Sequence, residues 1–276
     1  MTAEGDEGRG ALKGPSDLRP CRRVTAAEIA HYHEHGWAKL SNFIDPDVIG
    51  RILAVACGRM GEDGDSNAAY GRNVPYFNAE GGGGLVHPVM RSLMSACSEN
   101  AKLLMDRRLD PGIRYFTDVF AAKLPASRVT KNEGNGPTSF HQDFISFAVD
   151  QSGGMTFWIA LEAYRPDSGT MSFVSGSHLM GVLGSFVRGD LLENLPELRE
   201  LPLSEAMSYA VGDVTVHSHM TVHGAGKNLT DKPRWAYLIT VNPADAVWTG
   251  APPEAFDPAG MTPYQPFDDS RFPILA

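Results

Sequence analysis

From Tyr115 onward the chain breaks into short β-type runs set so close together that few helices of ordinary length fit between them. The runs span 115–124, 139–147, 155–163, 170–174, 209–217 and 235–242, each rich in β-branched or aromatic residues and bounded by turn-forming ones. One interruption, 191–201, reads as a short helix. Strands that succeed one another this closely pair antiparallel, so the expectation is a mainly β protein with flanking helices, built as a sandwich or jelly roll.

The front of the chain reads differently. Residues 1–23 are rich in Gly, Pro and charge without apolar periodicity, the composition of a disordered tail. Thr25 and Glu28 then form a capping-box pattern that opens a helix to His35, which Gly36 ends. A strand is expected over 37–43, and Asp45-Pro46 supplies an N-cap and a first-turn proline for a helix to Gly61. The segment 63–85 reads as a long Gly-rich loop, and 88–109 as a helix with Val89, Leu93, Ala96, Leu103 and Leu104 on one face. These helices lack the apolar surface for a core of their own, so 24–276 is read as a single domain with its jelly-roll core at about 113–243.

Composition narrows the function. A hydrophobic content of 42% and a charged content of 21% are globular values. The formal net charge of -9 opposes nucleic-acid binding, which needs a basic face to displace counterions. No apolar stretch approaches membrane-spanning length and the acidic N-terminus has no signal-peptide core, so no membrane partner and a cytoplasmic location are expected. Cys21, Cys57 and Cys97 form no CxxC pair and read as reduced, inert thiols.

The sharpest chemical feature is Thr138-Ser-Phe-His141-Gln-Asp143. On a strand, positions two apart share a face, so an imidazole and a carboxylate there can occupy adjacent corners of one coordination sphere. A second histidine must come from the segment holding His217, His219 and His223, all of one strand parity. Two histidines and one carboxylate with open positions are the donor set of non-haem Fe(II) oxygenases. Arg234 follows on the next expected strand, where its fork suits a dicarboxylate better than a lysine would. An isolated H-x-D is weak; with a later His-Gly-x-Gly and an arginine at this offset it gains force.

In these features the chain resembles the phytanoyl-CoA dioxygenase family, from about Val24 to Pro243. The matches include VTAAEIAHYHEHGWAKLSNFIDPDVI, the FHQD core, Trp158-Ile-Ala-Leu-Glu, Ser168-Gly-Thr-Met-Ser-Phe-Val-Ser-Gly-Ser-His178, and the HGAGKN segment ahead of Pro233-Arg234. The resemblance implies a double-stranded β-helix of cupin-like form. It also implies that His141, Asp143 and His223 bind Fe(II), that Arg234 anchors 2-oxoglutarate and that Trp158 lies beside this co-substrate. Together with O2, these would oxidise an unactivated C–H bond of a small molecule, by hydroxylation or by ring closure or epimerisation. One departure is Ala225, where relatives often carry a serine that meets the keto acid; the lost hydrogen bond is worth about 1 kcal/mol.

Other residues carry weaker expectations. His31, His33 and His35 do not converge on a helix and are read as non-ligating, and His178 is read as a structural hydrogen-bonder. Lys123 is read as a solvated lysine, while Tyr76 to Asn78, Phe144 and the 183–203 segment are candidate rims of a substrate pocket. The expected substrate is apolar or polycyclic, of polyketide type, as in antibiotic biosynthesis. The alternatives are a fatty-acyl or amino-acid-like substrate, a silent cupin-like metal-binding protein, and a hydrolytic zinc site. A monomer or homodimer is expected.

Overall fold

In the computed structural model the residues described are 19–65, 80–81, 83–105, 110–128, 136–184 and 189–276. Most of the expected disordered tail therefore lies outside them. Helix α1 (Ala26–His35) begins as its capping box requires: Thr25 Oγ1 accepts from the Glu28 N–H at 3.2 Å, and Glu28 Oε2 accepts from the Thr25 N–H at 2.8 Å. Gly36 ends it in the left-handed region at φ 82°. Strand β1 (Trp37–Leu40) leads to helix α2 (Pro46–Met60), whose first turn is capped by the Asp45 carboxylate accepting from Asp47 N–H. Helix α3 (Pro88–Leu104) stops short of the 109 expected from sequence; residues 106–109 lie outside the described set.

The remaining strands are β2 (Glu80–Gly81), β3 (Ile113–Lys123), β4 (Thr138–His141), β5 (Met155–Ala160), β6 (Met171–Phe173), β7 (Val214–Ser218), β8 (His223–Ala225) and β9 (Arg234–Pro243). They form a six-stranded sheet in the order β1-β7-β5-β9-β3-β2 and a three-stranded sheet in the order β4-β8-β6. Each pairing between these strands is antiparallel. Two antiparallel sheets with helices to one side fit a jelly roll.

Strand alternation divides the six-stranded sheet into two chemistries. Met155, Phe157 and Ile159 of β5, Val214 and Val216 of β7, and Tyr237, Ile239 and Val241 of β9 pack in one core cluster with the apolar faces of α1, α2 and α3. The intervening Thr156, Trp158, His217, Arg234, Leu238 and Thr240 line a cavity. A register shift in β3 between Tyr115 and Thr117 resets the alternation, so Thr117, Val119 and Ala121 also reach the cavity.

The expected strand over 139–147 is corrected. It stops at His141, and Phe144–Phe147 forms one helical turn. The C-terminal segment, read as nothing from sequence, builds a second apolar cluster in which Phe116 meets Phe147, Phe256 and Phe267 edge-on at 5.3, 5.3 and 5.8 Å.

Candidate metal centre and cavity

The H-x-D pair works by a different geometry from the one strand parity suggests. Asp143 sits beyond β4 with helical φ −71° and ψ −29°, and the turn swings its carboxylate toward the imidazoles. His141 is the last residue of β4 and His223 the first of β8, and they face each other in register. Asp143 Oδ1 then lies 3.4 Å from His141 Nε2 and 3.6 Å from His223 Nε2. The ligand atoms of the three residues all lie within 4.8 Å of one another, the sole such His/Cys/Asp/Glu cluster among the described residues.

The orientation of each imidazole is set from behind. His141 Nδ1 meets the Ser139 carbonyl at 2.7 Å, and His223 Nδ1 meets the Thr221 carbonyl at 3.0 Å. A carbonyl can only accept, so both Nδ1 atoms carry the proton and both Nε2 lone pairs face inward, as metal ligation requires. Gly224 permits the close approach of β8 to β4: a Cβ there would meet the Thr138 carbonyl oxygen at 2.9 Å.

Electrostatics favour these protonation states at Asp143 and His223, whereas at His141 burial is outweighed by the Asp143 carboxylate, which raises the imidazole. Burial alone would push Asp143 up, but the imidazoles of His223, His141 and His217 outweigh it and hold the carboxyl well below its usual range. Burial, aided by neighbouring His217, holds His223 well below an ordinary histidine. The result is an anionic oxygen and a neutral nitrogen converging on one point. This donor set fits a divalent iron.

His217, one of the alternatives for the second histidine, is part of the centre in another position. Its Nε2 donates to Asp143 Oδ2 at 3.2 Å, and Thr156 Oγ1 donates to the same oxygen at 3.3 Å, leaving Oδ1 toward the other two imidazoles. His219 is turned away, buried against Phe147 with ring centroids 4.5 Å apart, and burial lowers it to about 3. Thr156 was missed from sequence because a threonine on an apolar strand carries no signal of its own.

Arg234 opens β9 and is buried at 4% exposure. Its Nη1 donates to the Gly169 carbonyl, its Nε has no partner, and its guanidinium lies 5.0 Å from the Trp158 ring centroid. Burial lowers it to about 10, so it remains cationic at neutral pH. A buried cation with an unpartnered donor fits the far carboxylate of a dicarboxylate.

Lys123 is a correction. It is fully buried rather than solvated, opposite Arg234 in the β3–β9 register, with Nζ donating to the Gly226 carbonyl at 2.7 Å. Burial, with Arg234 adding to it, lowers this amine to about 6. A lysine at a strand end gives no sequence sign of which side it faces.

The cavity of about 400 Å³ joins these groups, lined by His141 and His223 from the three-stranded sheet, Asp143 from the turn after β4, and His217, Trp158 and Arg234 from the six-stranded sheet. Of the expected rim, Tyr76 to Asn78 lie outside the described residues. Phe144 packs on the aromatic cluster and does not line the cavity; its neighbours Ser146 and Phe147 do. The described part of 183–203 packs Leu191 and Leu198 against Val174 and Val222 and contributes nothing to the lining. His33 Nε2 is held by the Leu104 carbonyl and His178 Nε2 by the His33 carbonyl, both structural contacts.

Comparison with known proteins gives the chain's family and its relatives in fold. The family model described as phytanoyl-CoA dioxygenase matches residues 32–236. A probable alpha-ketoglutarate-dependent hypophosphite dioxygenase of Stutzerimonas stutzeri is 24% identical over 238 residues, covering 80% of this chain and 79% of the relative. In fold, the chain is similar to the non-heme alpha-ketoglutarate-dependent carbocyclase SnoK from nogalamycin biosynthesis, with a TM-score of 0.72, 23% identity and coverage of 91% of this chain and 96% of that one. It is also similar to the epimerase SnoN in complex with Fe3+, alpha-ketoglutarate and nogalamycin RO, with a TM-score of 0.68, 23% identity and coverage of 91% and 98%. No helix among the described residues is long and apolar enough to cross a membrane.

Proposed function

The chain belongs to the phytanoyl-CoA dioxygenase family of non-haem iron- and 2-oxoglutarate-dependent oxygenases, and from that premise we propose that it oxidises an unactivated C–H bond of an apolar, polycyclic small molecule in natural-product tailoring. In this reading His141, Asp143 and His223 hold Fe(II), and Arg234 and Trp158 hold 2-oxoglutarate. The observation that carries it is the convergence of two Nε2 atoms and one carboxylate oxygen in a cavity that a buried arginine also lines. Likeness in fold to a carbocyclase and an epimerase of nogalamycin biosynthesis supports the substrate class.

Bound there, ferrous iron supplies oxygen activation coupled to decarboxylation of the keto acid to succinate. The residues of the chain do the rest. The Ser139 and Thr221 carbonyls fix the imidazole protons away from the metal side. His217 and Thr156 hold Asp143 Oδ2, so that Oδ1 alone faces the ligand imidazoles. Arg234 grips the far carboxylate and Trp158 gives it a flat wall. In this reading Thr138, opposite Ala225 in register and lining the same cavity, supplies the hydroxyl that Ala225 lacks.

The test is oxygen-dependent succinate release from 2-oxoglutarate by the full chain with added Fe(II). Release that stops without iron or oxygen, and in Asp143→Ala, is expected. Turnover of any substrate without oxygen would point instead to hydrolysis.

A further inference from the structure

The cavity has two chemically opposite ends. Along β3 and β9 its floor runs from Arg234 through Val119 opposite Leu238 to Thr117 opposite Thr240. From residue 234 to 240 the strand rise amounts to roughly 20 Å. At the Arg234 end a cation awaits a dicarboxylate. At the other end, past Asp143, which Thr156 links to Thr240, the lining residues include Thr117, Thr240, Ser146, Phe147 and Glu254, and among the described lining residues the one arginine or lysine is Arg234 itself.

Two side chains of this end have no partner in the protein among the described residues. Ser146 is 9% exposed and its hydroxyl has no hydrogen-bond partner, a costly condition unless a ligand or water satisfies it. Glu254 is held in place by its backbone, whose N–H donates to the Ser146 carbonyl at 2.9 Å, and its exposed carboxylate, hydrated in the free protein, makes no hydrogen bond or ion pair with the protein among the described residues. A free carboxylate, acceptor hydroxyls and the ring of Phe147 form an environment for a cation rather than an anion.

We propose that Ser146 and Glu254, with Thr117, Thr240 and Phe147, form the substrate-recognition end of the cavity and bind the ammonium group of an otherwise apolar amine. This rests on the oxygenase reading, in which Arg234 is taken by the keto acid. It separates the chain from its hypophosphite-oxidising relative, whose named substrate is an anion. An acyl-carboxylate substrate meets the same mismatch: its charge would face Glu254 with no described cation beside it.

The experiment is calorimetry on the full chain, anaerobic, with Fe(II) and 2-oxoglutarate added first and then three matched probes: 2-phenylethylamine, 2-phenylethanol and 3-phenylpropanoate. The heat of 2-oxoglutarate binding reads the oxygenase premise separately from the probes. The amine is expected to bind at least about tenfold tighter than the acid or the alcohol, the worth of one charge-assisted hydrogen bond. Glu254→Gln should erase that preference, and Ser146→Ala should reduce it by less. Equal affinities, no binding of any probe, or a preference that survives Glu254→Gln overturns the proposal. Glu254 is exposed, so its replacement leaves the fold intact and the comparison readable.

Discussion

Strand β3 pairs with β9 along almost its whole length, whereas β4 meets β8 only where Thr138 stands opposite Ala225 and His141 opposite His223. The long pairing makes a floor whose outer face is apolar and whose inner face sets Arg234, Leu238 and Thr240 at fixed intervals. The short pairing ends where the chemistry begins: His141 closes β4, His223 opens β8, and Asp143 lies already in the turn beyond. In the proposed reading, stability and ligation are carried by different sheets. A regular ladder holds the scaffold and Arg234, and strand ends, where the backbone can turn, bring His141, Asp143 and His223 to one point.

Breaking the core behind the six-stranded sheet should give the largest effect. Phe157→Ala removes a fully buried ring between β5 and the helices and should lower unfolding free energy by about 3–5 kcal/mol, read by denaturant titration, with iron bound per folded chain unchanged. Asp143→Ala should do the reverse. Iron affinity should fall by about a hundredfold or more, since loss of an outer-shell partner alone costs about 10–100-fold, while thermal stability stays near wild type. Equal damage to folding and to ligation in either variant would dissolve the division between the sheets.

Two smaller effects sharpen the division within the floor itself. Arg234→Lys keeps the charge but loses the planar fork, and should raise the KM for 2-oxoglutarate about tenfold with little change in kcat. Lys123 tests burial. Its amine is lowered to about 6 when folded against 10.5 ordinarily, so the unfolded chain binds the extra proton between those values and stability should rise with pH across that window. The slope is at most about 1.4 kcal/mol per pH unit. Lys123→Met should flatten it in urea titrations run without 2-oxoglutarate; an unchanged slope assigns it to other groups.

Much of this was legible in the sequence because it follows from local rules. The capping box at Thr25, the proline at position 46 and the alternation in β5 and β9 each leave a one-dimensional trace. That His141, Asp143 and His223 come together was legible as a pattern, but the geometry by which they do so was not. Strand parity places Asp143 beside His141 on one face, whereas a helical turn after the strand delivers it. What left no trace was set by partners distant in sequence. Lys123 is buried by the β3–β9 pairing, His217 is assigned to Asp143 Oδ2 by the neighbouring strand, and Glu254 reaches the cavity because the segment after β9 folds back onto Phe116 and Phe147.

The central claim is that three side chains from β4, the turn after it and β8 hold one ferrous ion beside an arginine that anchors a keto diacid. Anaerobic titration of the apoprotein with Fe(II), then 2-oxoglutarate, followed by iron stoichiometry and visible absorption, tests it most directly. The account predicts one iron per chain and an absorption band that needs both additions, lost in Asp143→Ala and His223→Ala. A band that persists in those variants, or iron that binds equally well without either side chain, would contradict it.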